Sequence, residues 1–499
     1  MESLGDSLAL VLTFSALFAM VIGTAVGILV GALPGLGAPI ALTLLLPFTF
    51  GLDQIPAIML LLGAYAGSMY GGSISAILIN TPGTLAAAST ILDGYPMAVR
   101  GEASRALGFS LVASTFGGLF STIVLIFAAP QLAAVALKFG PVETFATIFL
   151  AMTCIATISR GSMVKGLLAG SIGLFLATVG SDPVTGDMRF DFGYFPLTSG
   201  IGIVPVIVGM FALTEVYVRV LQKAGPPVVT RDVAGITIPG WSEWRPRIGL
   251  LFKSSGIGSL VGILPGTGSA AAAFISYAEA KRSSPRSDKF GTGEPDGIIS
   301  AEAANNAVTG GALVPTLALG IPGDGVTALM VTSLIIHGVT PGVHLMSRNP
   351  ELVIALFIAL FIVNGIMFFE ALLAARLFSR LLRTPEPLLL AGVIVLCVVG
   401  AYGTRGNFFD LWVMLVASVV GFGLRLQDVP LPPLIIGLVL GPQFELTMRQ
   451  GLIISDGSFL AFFTNYPVAL GIFVVTGALL LFPILFRSRR HRPADPKGS

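Results

Sequence analysis

The 499-residue sequence predicts an all-α polytopic membrane protein with about 12 transmembrane helices, re-entrant hairpins and two inverted-topology repeats. Three observations predict this fold class. The composition is too apolar for a soluble protein, and a set of Pro-Gly motifs occurs twice in the same order. In addition, basic residues flank the second copy of the first motif and are absent around the first copy.

The composition excludes a water-soluble chain. Hydrophobic residues make up 54% of the sequence, charged residues make up 11%, and the mean hydropathy is +0.91. Soluble domains are about 25% charged. Because a surface this apolar needs lipid as its solvent, we expect one domain integrated in the lipid bilayer and no separate soluble domain. The net charge of +2 gives no reason to expect nucleic acid as a partner. Cys154 and Cys397 lie in apolar runs, which predicts small buried side chains rather than disulfides or metal ligands.

Apolar runs follow one another along the chain and are interrupted once by a long polar stretch. The runs are 8–32, 38–50, 57–79, 107–129, 141–158, 164–180, 200–222, 249–280, 298–345, 351–373, 386–402, 408–425, 430–442 and 458–485. The polar stretch is rich in Pro and basic residues, so a continuous helix is not expected there. These boundaries predict a first membrane repeat half (1–222), a cytoplasmic linker (223–247), a second half with C-terminal scaffold helices (248–486) and a disordered basic cytoplasmic tail (487–499).

Two pairs of segments repeat between the halves. VGILVGALPGLG (26–37) aligns without gaps to IGSLVGILPGTG (257–268). Further on, GGSISAILINTPGT (71–84) resembles GGALVPTLALGIPGDG (310–325), and ILDGYP (91–96) loosely matches IIHGVTP (335–341). The order is the same and the offset is nearly constant, which predicts an internal duplication.

The charges around the repeats predict opposite orientations in the membrane. Basic residues at 245–253 and at 281–289 enclose the segment 254–280, so both of its ends are expected in the cytoplasm. A run this short, broken at Pro265-Gly266, can enter and leave the membrane on one side as a re-entrant hairpin. The first-half copy, 8–50, has acidic flanks and no Lys or Arg, so its ends are expected outside the cytoplasm. Two copies with opposite orientation are what an inverted-topology repeat requires.

Four Pro-Gly breaks interrupt the apolar sequence. They are LPGLGAP (33–39), NTPGTLAAAST (80–90), LPGTGSAAAA (264–273) and IPGDGVTAL (321–329). Pro removes a backbone donor and Gly permits unusual dihedral angles, so each break is expected to end one helix and start another. The first N–H groups of a helix are unpaired and carry a positive partial charge, which favours an anion such as a carboxylate. Alternatively, the breaks are kinks in packed helices.

The four breaks are expected to meet around one polar cavity, and the breaks and the polar residues beside them supply the candidate site. The predicted substrate-binding residues are Gly35, Gly37, Ser73, Asn80, Thr81, Gly83, Thr84, Gly266, Thr267, Gly268, Asn305, Asn306 and Gly323. The predicted cation-binding residues are Asn80, Asn306 and Asp324, because side-chain and freed backbone oxygens suit cations. Alternative roles are interhelical hydrogen bonding for Asn305 and Asn306, and N-terminal capping for Asp324.

Other polar and small residues have simpler interpretations. Glu302 lies upstream of the fourth break at membrane depth and is a further functional candidate. Glu215, Glu370 and Asp410 are interpreted as structural, and Asp182 and Asp187 as loop residues. Glycines at every fourth position, including 23–35 and 258–266, predict close helix packing, with a sliding surface as the alternative.

Enzyme motifs are not supported. GTGSAA (266–271) has no βαβ pattern around it, and no Gly-Lys-Ser/Thr of a P-loop is present. GIPGDG suggests an intramembrane aspartyl protease, but no convincing second aspartate accompanies it. The sequence therefore predicts neither an enzyme nor a resident cofactor.

Several long motifs resemble the large membrane subunit of the tripartite tricarboxylate transporters. They are GALPGLGAPIALTLLLPFTFG, YGGSISAILINTPGT, DGYPMAVRGEASRALG, GILPGTGSAAAAFISYAEAK and AEAANNAVTGGALVPTLALGIPGDG, and the resemblance extends to about residue 485. It implies a bacterial inner-membrane protein that works with a small membrane subunit and a periplasmic solute-binding protein. It also implies uptake of citrate or a related carboxylate, driven by a cation gradient, often sodium, with an elevator-like movement. The family motifs fall on 34–37, 81–84, 265–268 and 322–325.

Two other functions share part of this evidence. A passive anion channel would use the same positive helix ends. A membrane assembly subunit without transport of its own would share the apolar composition.

Overall fold

The computed structural model is built almost entirely from helices, and it describes residues 2–158, 163–182, 184–221, 235–381 and 384–487. Residues 488–499 of the predicted tail and residues 223–234 of the predicted linker lie outside these ranges. The described part of the linker contains a short helix and a 3-10 turn, Trp241–Trp244 and Arg245–Arg247.

The helices before the linker are α1 (Glu2–Val11), α2 (Phe14–Ala32), α3 (Gly37–Leu45), α4 (Gln54–Ile79), α5 (Ala88–Val99), α6 (Ala103–Ala136), α7 (Pro141–Ile158), α8 (Met163–Ala177), α9 (Ile203–Ile207) and α10 (Thr214–Leu221). A π-helical turn, Val208–Leu213, joins α9 to α10, and a 3-10 turn, Leu46–Gly51, follows α3. A two-stranded antiparallel hairpin, β1 (Gly180–Ser181) and β2 (Met188–Arg189), precedes the 3-10 turn Phe195–Ser199.

The later helices are α11 (Trp241–Trp244), α12 (Ile248–Ile263), α13 (Gly268–Ser283), α14 (Pro295–Leu319), α15 (Gly325–Ile336), α16 (Leu345–Arg348), α17 (Pro350–Leu381), α18 (Glu386–Arg405), α19 (Phe408–Leu426), α20 (Pro432–Ile454), α21 (Ala461–Thr464) and α22 (Pro467–Arg487). A 3-10 turn, Ser287–Lys289, lies between α13 and α14.

Seven helical segments of the described residues are long and apolar enough to cross a membrane. They are Phe14–Ala32, Gln54–Ile79, Ala103–Ala136, Ile203–Leu221, Pro350–Leu373, Glu386–Arg405 and Phe408–Leu426. Shorter apolar helices, such as Met163–Ala177 and Gly325–Ile336, accompany them. The prediction of an all-α polytopic membrane protein is confirmed.

Several predicted apolar runs are divided in the structure. The first run is split between α1 and α2, because the Thr13 hydroxyl caps α2 by accepting from the Ala16 N–H at 3.3 Å. The run 298–345 is split between α14 and α15 at the fourth Pro-Gly break. Cys154 and Cys397 are buried, as predicted.

The chain forms two compact units. One consists of residues 1–137 and 201–427, and the other of residues 138–200 and 428–499. Each unit therefore takes segments from both predicted halves of the sequence.

The smaller unit packs α7, α8, α20 and α22 around aromatic side chains. The Phe145 ring lies 4.9 Å from Phe444 and 5.9 Å from Phe462, centroid to centroid. At one edge, Arg189 donates to both carboxylate oxygens of Glu445 at 2.8 and 3.1 Å. Asp182 lies in the loop between β1 and β2, where it accepts from the Val184 N–H at 2.7 Å. Asp187 lies in the same loop, so both acids are loop residues as predicted.

Within the larger unit, α2 packs on α4 through glycines. A Cβ added to Gly27 would lie 2.5 Å from the Ala64 carbonyl oxygen, and one added to Gly31 would lie 2.5 Å from that of Ser68. The contacts advance along both helices together, so α2 and α4 run parallel. The segment 33–53 must therefore return the chain to the end at which α2 begins.

The second half repeats this arrangement with α12 and α14. A Cβ on Gly258 would lie 2.7 Å from the Ala304 Cα, and one on Gly262 would lie 3.0 Å from the Val308 carbonyl oxygen, so these helices also run parallel. Arg247 before α12 and Arg286 after α13 both bind Asp296 in the first turn of α14, at 2.6 and 2.9 Å. The start of α12 and the end of α13 therefore lie at the same end of the unit.

Candidate functional site

The two breaks of the first half touch each other. Gly35 and Gly37 adopt positive φ angles of 75° and 66°, which L-residues rarely adopt, and so turn the chain between α2 and α3. The Gly83 N–H donates to the Gly72 carbonyl at 3.2 Å, and a Cβ on Gly83 would overlap the Gly31 carbonyl oxygen. A Cβ on Gly37 would lie 3.7 Å from the Gly83 oxygen. Both glycine corners therefore lie against the same stretch of α4.

The two breaks of the second half are joined by a backbone hydrogen bond. The Gly266 N–H, at a φ of 88°, donates to the Gly323 carbonyl at 2.7 Å. Gly323 in turn donates its N–H to the Thr316 hydroxyl at 3.3 Å, and its Cβ would lie 2.7 Å from the Ala312 Cα. The Gly323 corner lies on α14 as the Gly83 corner lies on α4.

The two pairs of breaks are separated along the crossing of α4 and α14. Asn305 donates to the Met69 carbonyl at 3.1 Å, and Asp324 beyond the end of α14 accepts from the Tyr65 hydroxyl at 3.3 Å. The later residue of the second half, Asp324, thus contacts the earlier residue of α4, Tyr65, so α4 and α14 run antiparallel. The Gly83 corner packs on Gly72, about one turn after Met69 on α4, and the Gly323 corner packs on Ala312, about two turns after Asn305 on α14. Because the two helices run antiparallel, these displacements point in opposite directions. The two pairs are therefore roughly 15 Å apart along the helix axes, so the breaks meet in two pairs rather than all four around one cavity as the sequence predicted.

The four helices that begin after the breaks, α3, α5, α13 and α15, differ in how their first N–H groups are satisfied. Asp324 caps α15: its Oδ1 accepts from the Val326 and Thr327 N–H groups at 3.0 and 2.8 Å, and Thr327 completes a capping box. The starts of α3, α5 and α13 have no such side-chain cap. The first N–H groups of α5 donate to carbonyls of the turn 85–87 that precedes it, so the N–H groups available to an anion belong to α3 and α13.

Two threonines of the breaks, Thr84 and Thr267, form hydrogen bonds with backbone atoms near them in the chain. The Thr267 hydroxyl donates to the Val261 carbonyl at 2.6 Å and to the Leu264 carbonyl at 3.0 Å, so it satisfies the end of α12. Buried Thr84 accepts weakly from the Ala87 N–H at 3.4 Å. Gly268, with a φ of 68°, has open space where a Cβ would be.

Three further predicted residues lie away from the glycine corners. The buried Ser73 hydroxyl contacts the Tyr70 carbonyl at 2.7 Å and the Ser110 hydroxyl at 2.8 Å, in the interface between α4 and α6. Asn80 ends α4 in the left-handed conformation with a φ of 57°, and its side chain is exposed. Exposed Thr81 donates to the Ile79 carbonyl at 3.3 Å.

Asn305 and Asn306 lie on α14 beside a buried acid. Asn305 makes the interhelical bond to Met69, which is the alternative role that the sequence left open, and Asn306 donates to the Glu302 carbonyl at 3.3 Å. The Glu302 side chain is fully buried and accepts from the hydroxyls of Thr90 and Ser114. Its spacing of one turn from both asparagines was the sequence signal that these three residues share a surface.

Arg219 is a functional candidate that the sequence did not reveal. A Cβ on Gly35 would lie 2.5 Å from an Arg219 guanidinium nitrogen. Arg219 also donates to Glu215 and Glu386, each at 3.0 Å, and Glu215 pairs with Arg425 as well. The first break therefore lies beside a balanced charge cluster, and Glu215 has the structural role predicted for it. The signal for Arg219 was its i,i+4 spacing from Glu215.

A small void between α4, α14, α15 and α17 is not a carboxylate site. Only apolar side chains line it, among them Leu62, Leu317 and Met330. Binding a carboxylate requires donors, which this void lacks.

Comparison with known proteins gives a family for the sequence. Residues 17–436 match the profile of the tripartite tricarboxylate transporter TctA family. Two relatives come from Agrobacterium vitis. An uncharacterized 52.8 kDa protein in the TAR-I ttuC' 3' region is 36% identical over 473 residues, 94% of each chain. An uncharacterized protein in the TAR-II ttuC' 3' region is 35% identical over 238 residues, 47% of this chain and 98% of the relative. No solved structure matches the chain.

Proposed function

Since the chain belongs to the tripartite tricarboxylate transporter TctA family, we propose that it is the transport subunit of a binding-protein-dependent secondary transporter. It is a multi-pass membrane protein of a transporter family, not an enzyme. The substrate we propose is a tricarboxylate or related carboxylate, imported across the bacterial inner membrane by a sodium or proton gradient. Its proposed partners are a small membrane subunit and a periplasmic solute-binding protein.

The observation that carries the proposal is the pair of glycine corners in each half, with uncapped helix starts beside them. The corner of Gly35 and Gly37 meets that of Gly83, and that of Gly266 meets Gly323. Two of the four helices that begin there, α3 and α13, offer free N–H groups and a positive dipole end. In an apolar membrane such groups need a polar partner, and a carboxylate supplies acceptors with the matching charge.

The helix directions support two inverted-topology repeats with re-entrant hairpins. In each half a helix, a break and a second helix are followed by a parallel partner of the first helix, as in α2, α3 and α4 and in α12, α13 and α14. The equivalent helices α4 and α14 run antiparallel. Such repeats permit the two halves to exchange conformations across the membrane, and we therefore propose an elevator-like alternating access.

Reconstitution tests the proposed function. The chain, the small membrane subunit and the solute-binding protein loaded with labelled citrate or a dicarboxylate are combined in proteoliposomes, and uptake is followed under an imposed sodium or pH gradient. We expect gradient-dependent uptake, which Gly266→Val abolishes without preventing insertion, because the positive φ and the bond to Gly323 are lost together. Absence of gradient-dependent uptake of every carboxylate would refute the proposal.

Two controls separate the alternatives. A carrier exchanges labelled for unlabelled substrate in counterflow, whereas a passive anion channel does not. Transport by the partner subunits without this chain would indicate a non-transporting assembly subunit.

A further inference from the structure

Glu302 is a buried acid without a cationic partner. It lies inside α14, seven residues after the helix begins at Pro295, and its side chain has no exposed surface. The hydroxyl of Ser114 on α6 donates to it at 3.0 Å, and the hydroxyl of Thr90 on α5 donates to its other oxygen. No ion pair involves Glu302 within the described ranges. A lone buried carboxylate is costly unless a positive charge neutralises it.

Two more oxygen atoms in this region are buried and have no hydrogen-bond partner among the residues that the structure describes. They are the Oδ1 of Asn305 and the hydroxyl of Tyr70 on α4, and both side chains are at most 1% exposed. Asn305 lies one turn after Glu302 on α14 and donates to the carbonyl of Met69, the residue before Tyr70 on α4, so both side chains lie where α4 meets α14. Buried polar atoms are normally paired, so an unpaired acceptor next to an unneutralised acid points to an absent positive ligand.

We propose that Glu302, Thr90, Ser114, Asn305 and Tyr70 form a binding site for one sodium ion. All five supply oxygen, which is the ligand type of hard cations. The single carboxylate balances one positive charge, and no group of three His, Cys, Asp or Glu side chains that would suit a divalent or transition metal occurs in the part of the chain that the structure describes. A proton would need only one acceptor, whereas here hydroxyl oxygens of α5 and α6 both meet the Glu302 carboxylate on α14.

The position of Thr90 gives the site a role in coupling, which rests on the proposed function. Thr90 lies in the first turn of α5, the helix that begins after the second break. A sodium ion held between Thr90 and Glu302 would fix the start of α5 against α14. Sodium binding would therefore order the helix that follows the second break, whose Gly83 corner is proposed to belong to the carboxylate site.

Sodium binding to the purified full-length chain, without partners or carboxylate, tests the site. The unfolding temperature is followed by tryptophan fluorescence while sodium chloride replaces choline chloride at constant ionic strength, with potassium in parallel. We expect sodium alone to raise the unfolding temperature, and Glu302→Gln to remove this rise. Glu370→Gln is the matched control. Glu370 lies on a different helix, α17, and also has a buried oxygen without a hydrogen-bond partner among the described residues. If Glu302→Gln fails to insert, Thr90→Val and Ser114→Ala should each raise the sodium concentration for half-saturation about tenfold.

The outcomes separate this inference from the proposed function. A sodium response that survives in Glu302→Gln, or a stabilisation that follows pH and not sodium, overturns the site. Loss of the response in Glu302→Gln but not in Glu370→Gln supports it, even if the reconstituted complex transports no carboxylate. Sodium-driven uptake that keeps its sodium dependence in Glu302→Gln would leave the transport function standing and refute the site.

Discussion

Adding one methyl group at the second break tests whether its close packing forms the carboxylate site. The Cβ of Gly83→Ala would overlap the Gly31 carbonyl oxygen and lie 2.9 Å from both the Gly72 Cα and the Ser75 hydroxyl. Two of these atoms are backbone, so the loop must move away from α2 and α4. Overpacking of this kind costs about 1–3 kcal/mol. If the loop relieves it by leaving the binding geometry, the affinity for carboxylate falls by roughly 5- to 150-fold.

Carboxylate uptake as a function of substrate concentration, in the reconstituted complex, measures this effect. Gly256→Ala is the matched control, because Gly256 lies in the interior of α12 with no atom within 4 Å of an added Cβ. Gly256→Ala should transport like the wild type. Equal apparent affinities in Gly83→Ala and Gly256→Ala would refute the reasoning, since a loop that tolerates this displacement is not part of the site.

Three further perturbations test individual side chains. Asp324→Asn keeps an oxygen that can cap α15 but removes the charge, so we expect weaker cation dependence of uptake with nearly unchanged carboxylate affinity; an unchanged cation response would exclude Asp324 as a cation ligand. Hydrogen bonds from Arg282 and Lys253 lower the pKa of Glu279 from 4.5 to about 2, so its stabilising effect is complete above about pH 4.5 and is lost as the pH falls toward 2. The difference in unfolding temperature between the wild type and Glu279→Gln should therefore be larger at pH 7 than at pH 3, and a constant difference would contradict it. Ser73→Ala should cost about 1 kcal/mol in thermal unfolding without selective loss of carboxylate affinity, because its hydroxyl bonds α4 to α6; a selective loss would return it to the substrate site.

The sequence was sufficient wherever the decisive property is local. Apolar composition identifies a membrane protein, and Pro-Gly dipeptides identify helix ends, which the structure places at Ala32 and Gly37 and at Ile263 and Gly268. The resemblance to the tripartite tricarboxylate transporters is confirmed, because motifs of that length are specific. The predicted roles of the individual site residues stay predictions.

What the sequence could not supply was the partner of each polar side chain. Ser73 and Ser114 look alike in an apolar run, yet one faces Ser110 and the other faces a buried acid. The order of helices around α14 decides this, and that order depends on contacts between residues far apart in the chain. The Thr90 hydroxyl meets the Glu302 carboxylate only because α5 folds back beside α14.

The glycine contact between α2 and α4 has a mechanical consequence. No side chain lies between Gly27 and Ala64 or between Gly31 and Ser68 that could change rotamer and let one helix slide or tilt on the other. We therefore expect α2 and α4 to move together as one rigid body. Whatever motion the first half undergoes must bend at its backbone corners, so spin labels placed on α2 and α4 should keep one fixed separation through the whole cycle.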